Sequence, residues 1–453
     1  MKKEFDIQSK KGFTSAFGAI MAAAGGSIGL GNIWRFPYTV GENGGGAFII
    51  VYLLFVILLG VPLVMSELSL GRKSRRNAIG TFRTLAPKRP SWQIIGILGI
   101  ITAFLIYSFY SVVFGWTLNF TGQALTGNLL GQDSQQITGF FAHPWKPLIS
   151  LAVALTVTGA VILAGVQKGI EKCTKILMPI LFGIILMLVI RSVTLTGAAE
   201  GLKFLFAPDF SKLTGKSILD ALGQSMFSLS IGMCALITYG SYMRKEDNLF
   251  SSSLWIAGAD TAIAILAGIA IFPAVFAFGY SPAQGPSLVY IVLPNVFNSM
   301  PFGSFFAALF FILLSIAALT STILLLEILV MWATEEFKLK RWIATICISV
   351  IIFIIGALCS LSFGALKDCT IFGKIIFDFF DELTAVYLMP LGALLITIFI
   401  GWYYPKDELV NEFSNEGKLK VVYFKFFYFL MRFIIPAALF IVLLAGIYSS
   451  LNS

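Results

Sequence analysis

The sequence of 453 residues is poor in charge: Asp, Glu, Lys and Arg together make up only 12% of it. Soluble globular domains carry roughly 25% charged residues, so this composition argues against a soluble enzyme and against a disordered chain. A single histidine, His143, excludes a histidine metal centre and a histidine proton relay. The five cysteines show no CxxC spacing, so neither a zinc site nor a disulfide framework is indicated.

Sequence motifs of common enzymes are also missing. The segment TGKS at 214–217 lacks the first glycine of a phosphate-binding loop, because Phe210 stands at that position. The segment GLGNIW at 29–34 lacks the third glycine of a dinucleotide fingerprint, and HExxH does not occur. We therefore predict that the protein is not an enzyme.

Long apolar runs dominate the sequence instead. Hydrophobic residues make up 58% of the chain, and the mean hydropathy is +0.89. Apolar stretches of about 18 residues or more are typical of membrane-spanning helices. Eleven such stretches predict an all-α polytopic membrane protein, with spans at about 13–40, 46–69, 92–121, 147–166, 174–194, 217–243, 254–279, 302–335, 342–363, 370–403 and 426–449.

Lysine and arginine are distributed unevenly over the segments between these spans. If the N-terminus is cytoplasmic, the segments on that side hold twenty-three of the 32 basic residues, and the outer segments hold seven. This bias predicts a protein of the inner (plasma) membrane with its N-terminus in the cytoplasm and, after eleven spans, its C-terminus outside. The net charge of +9 is then a topology signal beside the lipid bilayer, and no nucleic-acid partner is expected.

Two of the predicted spans are interrupted by small residues. Span 1 contains Gly25, Gly26, Gly29 and Gly31, and span 6 contains Ser-Leu-Ser-Ile-Gly at 228–232. Each glycine costs a helix about 0.8–1 kcal/mol relative to alanine. One interpretation is close helix packing through small residues. The other is a pair of unwound segments at mid-membrane, whose free N–H and C=O groups bind a carboxylate and a cation, as in inverted-repeat transporters.

The residues around the first interruption indicate a family. GLGNIWRFPY at 29–38 and ENGGGAF at 42–48 resemble the signature of the neurotransmitter:sodium symporter family, whose bacterial members are amino-acid transporters. The resemblance covers nearly the whole chain, and a total of eleven spans resembles a bacterial branch. The resemblance to the family continues at Gly60-Val61-Pro62-Leu63, Glu67, Gly71-Arg72, Tyr110 with Trp116, 224–239 and 317–321.

This resemblance implies a LeuT-type fold, in which two inverted five-helix repeats each begin with a discontinuous helix, here helices 1 and 6. We expect the first repeat (spans 1–5) in residues 1–194 and the second (spans 6–10) in residues 195–403. Residues 404–453 would form a cytoplasmic loop and the eleventh span.

The resemblance also implies two sodium sites built from hard oxygen ligands. The first would use the substrate carboxylate together with Ser27, Asn32, Ser228 and Asp260. The second would use the carbonyls of Gly25, Ile28 and Ala317 and the hydroxyls of Thr320 and Ser321. For these two hydroxyls, the alternative is an ordinary hydrogen bond to the carbonyl four residues earlier in the same helix.

Asp260 lies in an apolar span without a basic residue nearby in the sequence. A carboxylate at mid-membrane costs about 2.5–3.5 kcal/mol on insertion scales, so a partner is expected. Many family members have Asn at this position and bind chloride, and Ala264 replaces the hydroxyl residue of that chloride site. The resemblance therefore implies chloride-independent transport, with Asp260 supplying the negative charge. The alternative is a carboxylate paired with a polar group of another span.

The implied substrate site lies between the two interruptions. The N–H groups of Leu30 and Gly31 and the Tyr110 hydroxyl would hold a carboxylate at the start of a half-helix. Gly29 replaces the Asp of amine-transporting relatives, which favours an amino acid. The substrate ammonium would meet the carbonyls of Ser27 and Phe227 and the hydroxyl of Ser230, and Ser228 is also expected among the substrate-binding residues. The side-chain pocket would involve Ile106, Val113, Met233, Thr322 and Leu325, for whose aliphatic members core packing is the alternative.

Gates are implied on both sides of this site. Arg35 and Asp381 would form an outer ion pair, with Gln224 nearby and Phe227 as an aromatic lid. Lys10 and Glu335 would form the inner pair, with Tyr242 and Ser241 beside it. For the intramembrane acids Glu67 and Glu327, hydrogen-bonded structural roles are favoured over transport.

The sequence thus predicts a sodium-coupled symporter with two sodium ions and no chloride. Its substrate would be a neutral hydrophobic or aromatic L-amino acid, taken up by alternating access. An amino-acid sensor, a sodium-dependent channel without turnover, and an osmolyte or amine symporter of the same fold are the alternatives.

Overall fold

The structure is a computed structural model that describes residues 12–132, 134–283 and 288–452, most of them helical. Helical segments occupy each of the eleven apolar stretches predicted from the sequence. These spans, numbered 1 to 11 in chain order, are Ala16–Ser27 with Gly31–Glu42, Gly46–Ser74, Pro90–Leu125, Lys146–Leu163, Val166–Val193, Gly215–Ser228 with Ala235–Gly240, Leu249–Ala277, Gly303–Glu336, Arg341–Leu361, Ile376–Tyr403 and Phe424–Tyr448.

Two of the spans are not continuous helices. Within the described residues, nine helices are long and apolar enough to cross a membrane by themselves. Span 1 meets that condition only as a pair of helices bent by 50°. The two halves of span 6 have 14 and 6 residues, so neither can cross a bilayer separately.

The predicted break in span 1 is confirmed, and its glycines serve two purposes. The helix ends at Ser27 because Ile28 is extended, with a ψ of 98°, and regular hydrogen bonding resumes at Gly31. Gly26 remains helical, and a Cβ there would lie 2.6 Å from Cδ2 of Leu324. Close packing therefore explains Gly26, whereas Gly29 lies in the break itself.

The predicted break in span 6 is confirmed as well. Residues 229–234 separate its two helices, and Ser230, Gly232 and Cys234 have φ angles of 56°, 88° and 59°. Glycine takes this conformation without strain, but for Ser230 and Cys234 it costs energy that the surrounding packing must offset. A Cβ at Gly232 would lie 2.1 Å from the carbonyl oxygen of Met389, so glycine alone fits there.

Spans 3 and 8 form the centre of the molecule and pack against each other. The apolar windows of these two helices are 72% and 78% buried, whereas those of spans 5 and 11 are 33% buried. Spans 5 and 11 therefore lie at the periphery. Shorter elements connect the spans, namely Ala78–Leu85, Ser134–Ala142, Ala198–Phe206, Leu288–Asn298, Lys406–Phe413 and a hairpin of Thr370–Ile371 with Lys374–Ile375.

Candidate functional site

The main-chain groups released by the break in span 1 are held by side chains, two of which come from other spans. The N–H of Leu30 donates to the Tyr110 hydroxyl of span 3 over 2.8 Å. The carbonyl of Gly31 accepts from Nε2 of Gln224 over 2.9 Å, and the N–H of Gly29 donates to Oδ1 of Asn32 over 3.1 Å. Specific partners therefore fix the break.

A buried cluster of oxygen ligands lies beside this break. The Ser228 hydroxyl donates to Oδ2 of Asp260 over 2.6 Å, which joins spans 6 and 7. Nδ2 of Asn32 donates to Oδ1 of Asp260 over 2.8 Å and to the Ser228 hydroxyl over 3.0 Å. The Ser27 hydroxyl is buried and has no partner within the described residues. The four residues predicted for the first sodium site thus comprise a bonded trio and one unpartnered hydroxyl.

The chemistry of this cluster fits a sodium ion. A carboxylate, a hydroxyl and an amide carbonyl are oxygen ligands of the kind that hard cations select. Here the Asn32 amide presents its nitrogen to the cluster and its oxygen to Gly29. Rotation about the last side-chain torsion would exchange the two atoms and offer Oδ1 to a cation.

Residues predicted for the second sodium site also meet. The Thr320 hydroxyl lies 3.5 Å from the Ile28 carbonyl and 3.0 Å from the Ala317 carbonyl, while it also bonds the Ile316 carbonyl over 3.1 Å. The Ser321 hydroxyl donates to the carbonyl of Gly26 over 3.0 Å. The Thr320 hydroxyl therefore makes the ordinary hydrogen bond within its own helix and also lies close to span 1.

Gly25 is the remaining predicted ligand of this second site. It lies within the helix of span 1, where a Cβ would face Met178 and Thr174 of span 5. The Gly25 carbonyl therefore remains a prediction from the resemblance.

A small cavity lies between the two breaks. Its volume is about 30 Å³, which is room for a water molecule or two, so the lining must move apart to admit an amino acid. Its lining includes the predicted pocket residues Ile106, Met233 and Leu325. The other lining residues are Gly26, Ser27, Gly29, Gly31, Tyr110, Phe227, Ser230, Ser321, Leu324 and Met389.

Two predicted pocket residues lie elsewhere. Val113 lines a second, outer cavity, and the Thr322 hydroxyl contacts Thr158 over 3.0 Å on the far side of span 8. Sequence reasoning missed Leu324 and Met389. Leu324 is adjacent in sequence to the predicted pocket residue Leu325, and this adjacency could have identified it. Met389 belongs to no motif, and it lines the small cavity only because span 10 packs against the break in span 6.

The outer cavity, of about 280 Å³, lies above the small one. Phe227 and Tyr110 line both cavities, so Phe227 occupies the position predicted for a lid. Arg35 lies 4.4 Å from the centroid of the Phe227 ring, and its Nη1 lies 3.7 Å from Oδ1 of Asp381. The predicted outer-gate residues are therefore together. Aromatic rings from spans 1, 3 and 10 and from 288–298 form much of the wall, including Trp34, Trp116, Tyr290 and Phe377.

The side of the site that the sequence predicts to be cytoplasmic is closed by contacts with the start of span 1. The Phe13 N–H donates to the Tyr242 carbonyl over 2.9 Å, and the Phe13 ring packs edge-on against Tyr239 and Tyr242. The Tyr242 hydroxyl donates to Oε1 of Glu327 over 2.6 Å, and Arg341 donates to both carboxylate oxygens of Glu327.

The structure describes one partner of the predicted inner ion pair, Glu335, so the pair itself stays a prediction. Lys10 lies outside the described residues. Oε2 of Glu335 accepts from the backbone N–H of Asn77 over 2.8 Å and from its Nδ2 over 3.0 Å. Sequence reasoning treated Arg341 only as a topology charge. The pair could have been predicted from the sequence, because an acidic residue within span 8, Glu327, is followed by an arginine at the start of span 9, Arg341.

Glu67 has the structural role that the sequence favoured. It is fully buried in span 2, and its Oε1 accepts from the N–H of Gly232 over 2.8 Å. The carboxylate thus satisfies a main-chain donor that the break in span 6 releases.

Two broken helices whose released main-chain groups adjoin a buried cluster of oxygen ligands define a class of protein: ion-coupled membrane transporters of the LeuT-type fold, with two inverted five-helix repeats. A family model described as the sodium:neurotransmitter symporter family matches residues 10–138 and 134–452. The chain belongs to this family. It is therefore an integral membrane protein of a family of sodium-coupled transporters, not of enzymes.

Individual relatives agree with this assignment. An uncharacterized sodium-dependent transporter of Bacillus subtilis, YhdH, is 43% identical over 436 residues, which cover 95% of this chain and 96% of the relative. An uncharacterized sodium-dependent transporter of Haemophilus influenzae is 35% identical, over 97% and 99% of the two chains. The crystal structure of MhsT in complex with L-phenylalanine is 44% identical, with a TM-score of 0.90 and coverage of 97% and 100%.

Proposed function

We propose that this chain imports a neutral hydrophobic or aromatic L-amino acid with sodium, without chloride, by alternating access. One observation carries the proposal: the N–H of Leu30 and the hydroxyl of Tyr110 meet at a helix break next to the cluster of Asn32, Ser228 and Asp260. A substrate carboxylate held at the break would complete the coordination of a sodium ion in that cluster. Ion and substrate would then stabilise each other, which is the basis of coupling.

An α-carboxylate suits the break better than an amine does. The helix that resumes at Gly31 presents the positive end of its dipole to the break. A Cβ at Gly29 would lie 2.3 Å from the Ser321 hydroxyl and 2.6 Å from the Tyr110 hydroxyl. An acidic side chain, which an amine substrate would need as its partner, therefore has no room at this position.

The lining of the small cavity supports an apolar substrate side chain. Ile106, Met233, Leu324, Leu325 and Met389 surround it, and the two methionines can adapt to different shapes. The similar MhsT, whose structure contains L-phenylalanine, supports the same choice.

Chloride independence follows from the charge of Asp260. Its carboxylate is fully buried and bonded to Asn32 and Ser228, so a negative charge is already part of the cluster. Ala264, one helical turn further on, is also buried and offers no hydroxyl to an anion. We further propose two sodium ions, an N-terminus in the cytoplasm, a C-terminus outside, and repeats in 1–194 and 195–403.

Uptake by proteoliposomes tests the function. The purified chain should accumulate labelled L-phenylalanine or L-tryptophan under an inward sodium gradient, with gluconate as the only anion. Potassium in place of sodium should abolish accumulation, and betaine or tyramine should not compete. Binding of amino acid without gradient-driven accumulation would indicate a sensor or channel and contradict the proposal.

A further inference from the structure

The strongest feature outside the transport site is a cationic surface on the last span. Arg432 is the ninth residue of span 11, about 12 Å along the helix from Phe424 at 1.5 Å per residue. Its Nε is buried and has no hydrogen-bond acceptor among the described residues. A charged group within a span is costly unless it is partnered. Arg432 therefore requires an anion that the described part of the chain does not supply.

Aromatic rings surround the guanidinium. Its central carbon lies 6.0 Å from the ring centroid of Trp402, 6.0 Å from that of Tyr428 and 5.7 Å from that of Phe433. Cation–π contacts stabilise the charge in part, but they accept no hydrogen bond from Nε. Close packing of spans 10 and 11 holds this arrangement, because a Cβ at Gly401 would lie 3.1 Å from Cα of Arg432.

A second cation, Lys406, faces the ring of Tyr428, which Arg432 also contacts. Nζ of Lys406 lies 5.5 Å from the centroid of Tyr428 and 5.9 Å from that of Phe424. Phe424, Tyr428 and Arg432 follow one another at intervals of four residues, so they form one column on span 11. Tyr428 is fixed by its hydroxyl, which donates to the carbonyl of Gly401 over 3.1 Å.

Two acidic residues of this region are paired with other cations. Glu408 lies 2.7 Å from Nζ of Lys73, and Glu412 lies 2.5 Å from Nε of Arg72. Asp407, beside Lys406 in the sequence, is exposed to solvent. The column therefore presents a net positive charge at the end of spans 10 and 11 that borders residues 404–423.

The surface beside the two cations is apolar and exposed. Trp402 is 52% exposed and Phe433 is 53% exposed. Aromatic residues at the end of a span lie at the level of the lipid headgroups, and the long side chain of an arginine within the span extends to that level and meets a phosphate there. A free anion would leave these rings without a partner, whereas acyl chains would cover them.

We propose that Arg432 and Lys406 bind the phosphate of an anionic phospholipid in the leaflet that borders residues 404–423. The buried Nε donates to a phosphate oxygen, and Lys406 approaches the same headgroup from the other side of Tyr428. A net negative headgroup such as that of phosphatidylglycerol fits two cations. The choline group of phosphatidylcholine would bring a third positive charge.

Native mass spectrometry of the detergent-purified chain tests this binding. Titration should show at least a tenfold preference for phosphatidylglycerol over phosphatidylcholine with the same acyl chains. Arg432→Gln should weaken phosphatidylglycerol binding about tenfold and Lys406→Gln several-fold. Lys425→Gln, which removes an exposed charge of the same span, should leave binding unchanged.

Three outcomes would overturn the proposal. They are equal retention of both lipids, binding unchanged in both Arg432→Gln and Lys406→Gln, and glycerol phosphate or inorganic phosphate competing as strongly as the lipid. The last would indicate a free anion as the ligand. Lys406 is exposed, so its variant reports on the site even if Arg432→Gln does not fold. None of these measurements depends on the transported substrate.

Discussion

The Tyr242 hydroxyl of the segment after span 6 donates a 2.6 Å hydrogen bond to Glu327 of span 8, and both side chains are buried. Glu327 is also bonded to Arg341 at the start of span 9. Spans 8 and 9 are continuous helices, whereas the segment with Tyr242 follows a broken one. The Tyr242 bond therefore links a segment that can move to a rigid ion pair on the inner side.

Tyr242→Phe should favour the state that is open on the inner side. A hydrogen bond to a charged group contributes about 1.5–3 kcal/mol, so its loss shifts this equilibrium about tenfold or more. The apparent sodium affinity should fall accordingly if sodium favours the inner-closed state, measured as sodium-dependent binding of labelled amino acid.

Tyr239→Phe is the matched control for this variant. Tyr239 is a neighbouring buried tyrosine whose hydroxyl has no hydrogen-bond partner in the described structure. Its removal should change sodium affinity less than twofold. Equal effects of the two variants would show that the Tyr242 bond is not a specific link.

Arg341→Met should destabilise the protein strongly. Removal of one partner from a buried ion pair costs about 3–5 kcal/mol, because the remaining charge is left uncompensated. The partial exposure of Arg341 (28%) places the expected effect near the lower end of this range. Thermal unfolding in detergent measures it as a lowered midpoint.

Two further variants control for this interpretation. Combining Arg341→Met with Glu327→Gln should recover much of the lost stability, since no buried charge is then unpaired. Arg83→Gln breaks an ion pair with Glu336 whose arginine is half exposed, so it should change the midpoint little. If the double variant were less stable than Arg341→Met, the charge argument would fail.

Asp260→Asn should weaken sodium-dependent substrate binding about tenfold or more in a chloride-free buffer. The substitution removes the negative charge of the cluster while it keeps the shape of the side chain. Chloride should then restore part of the binding, whereas the unmodified protein should respond equally in chloride and gluconate. A variant indifferent to the anion would count against the role we give to Asp260.

Gly29→Ala should abolish amino-acid binding. The added methyl group meets the Ser321 and Tyr110 hydroxyls at 2.3 Å and 2.6 Å, so it displaces groups of both the substrate and second sodium sites. Gly258→Ala is the control, because a Cβ there has no neighbour within 4 Å. Binding of labelled L-phenylalanine should be lost in the first variant and retained in the second. If Gly29→Ala retained binding, the break would accommodate a methyl group and the predicted steric conflict with Ser321 and Tyr110 would be wrong.

The sequence anticipated local features well. Apolar length located the spans, and glycine content located both breaks, because these signals depend on residues close together in the chain. The resemblance brought Asn32, Ser228 and Asp260 together, and the structure joins them by hydrogen bonds. It could not distinguish Gly26, which packs against Leu324, from Gly29, which lies in the break.

Positions that depend on distant packing were decided only by the tertiary structure. Met389 lines the small cavity because span 10 contacts Gly232. Thr322 does not line it, because its side of span 8 faces Thr158. Arg341 pairs with Glu327 because spans 8 and 9 are adjacent. Sequence periodicity assigns residues to spans, but the rotation and neighbours of each helix follow from interactions between spans. Hydropathy therefore determined that this chain crosses a membrane, the glycines indicated two broken helices, and packing decided which side chains meet there.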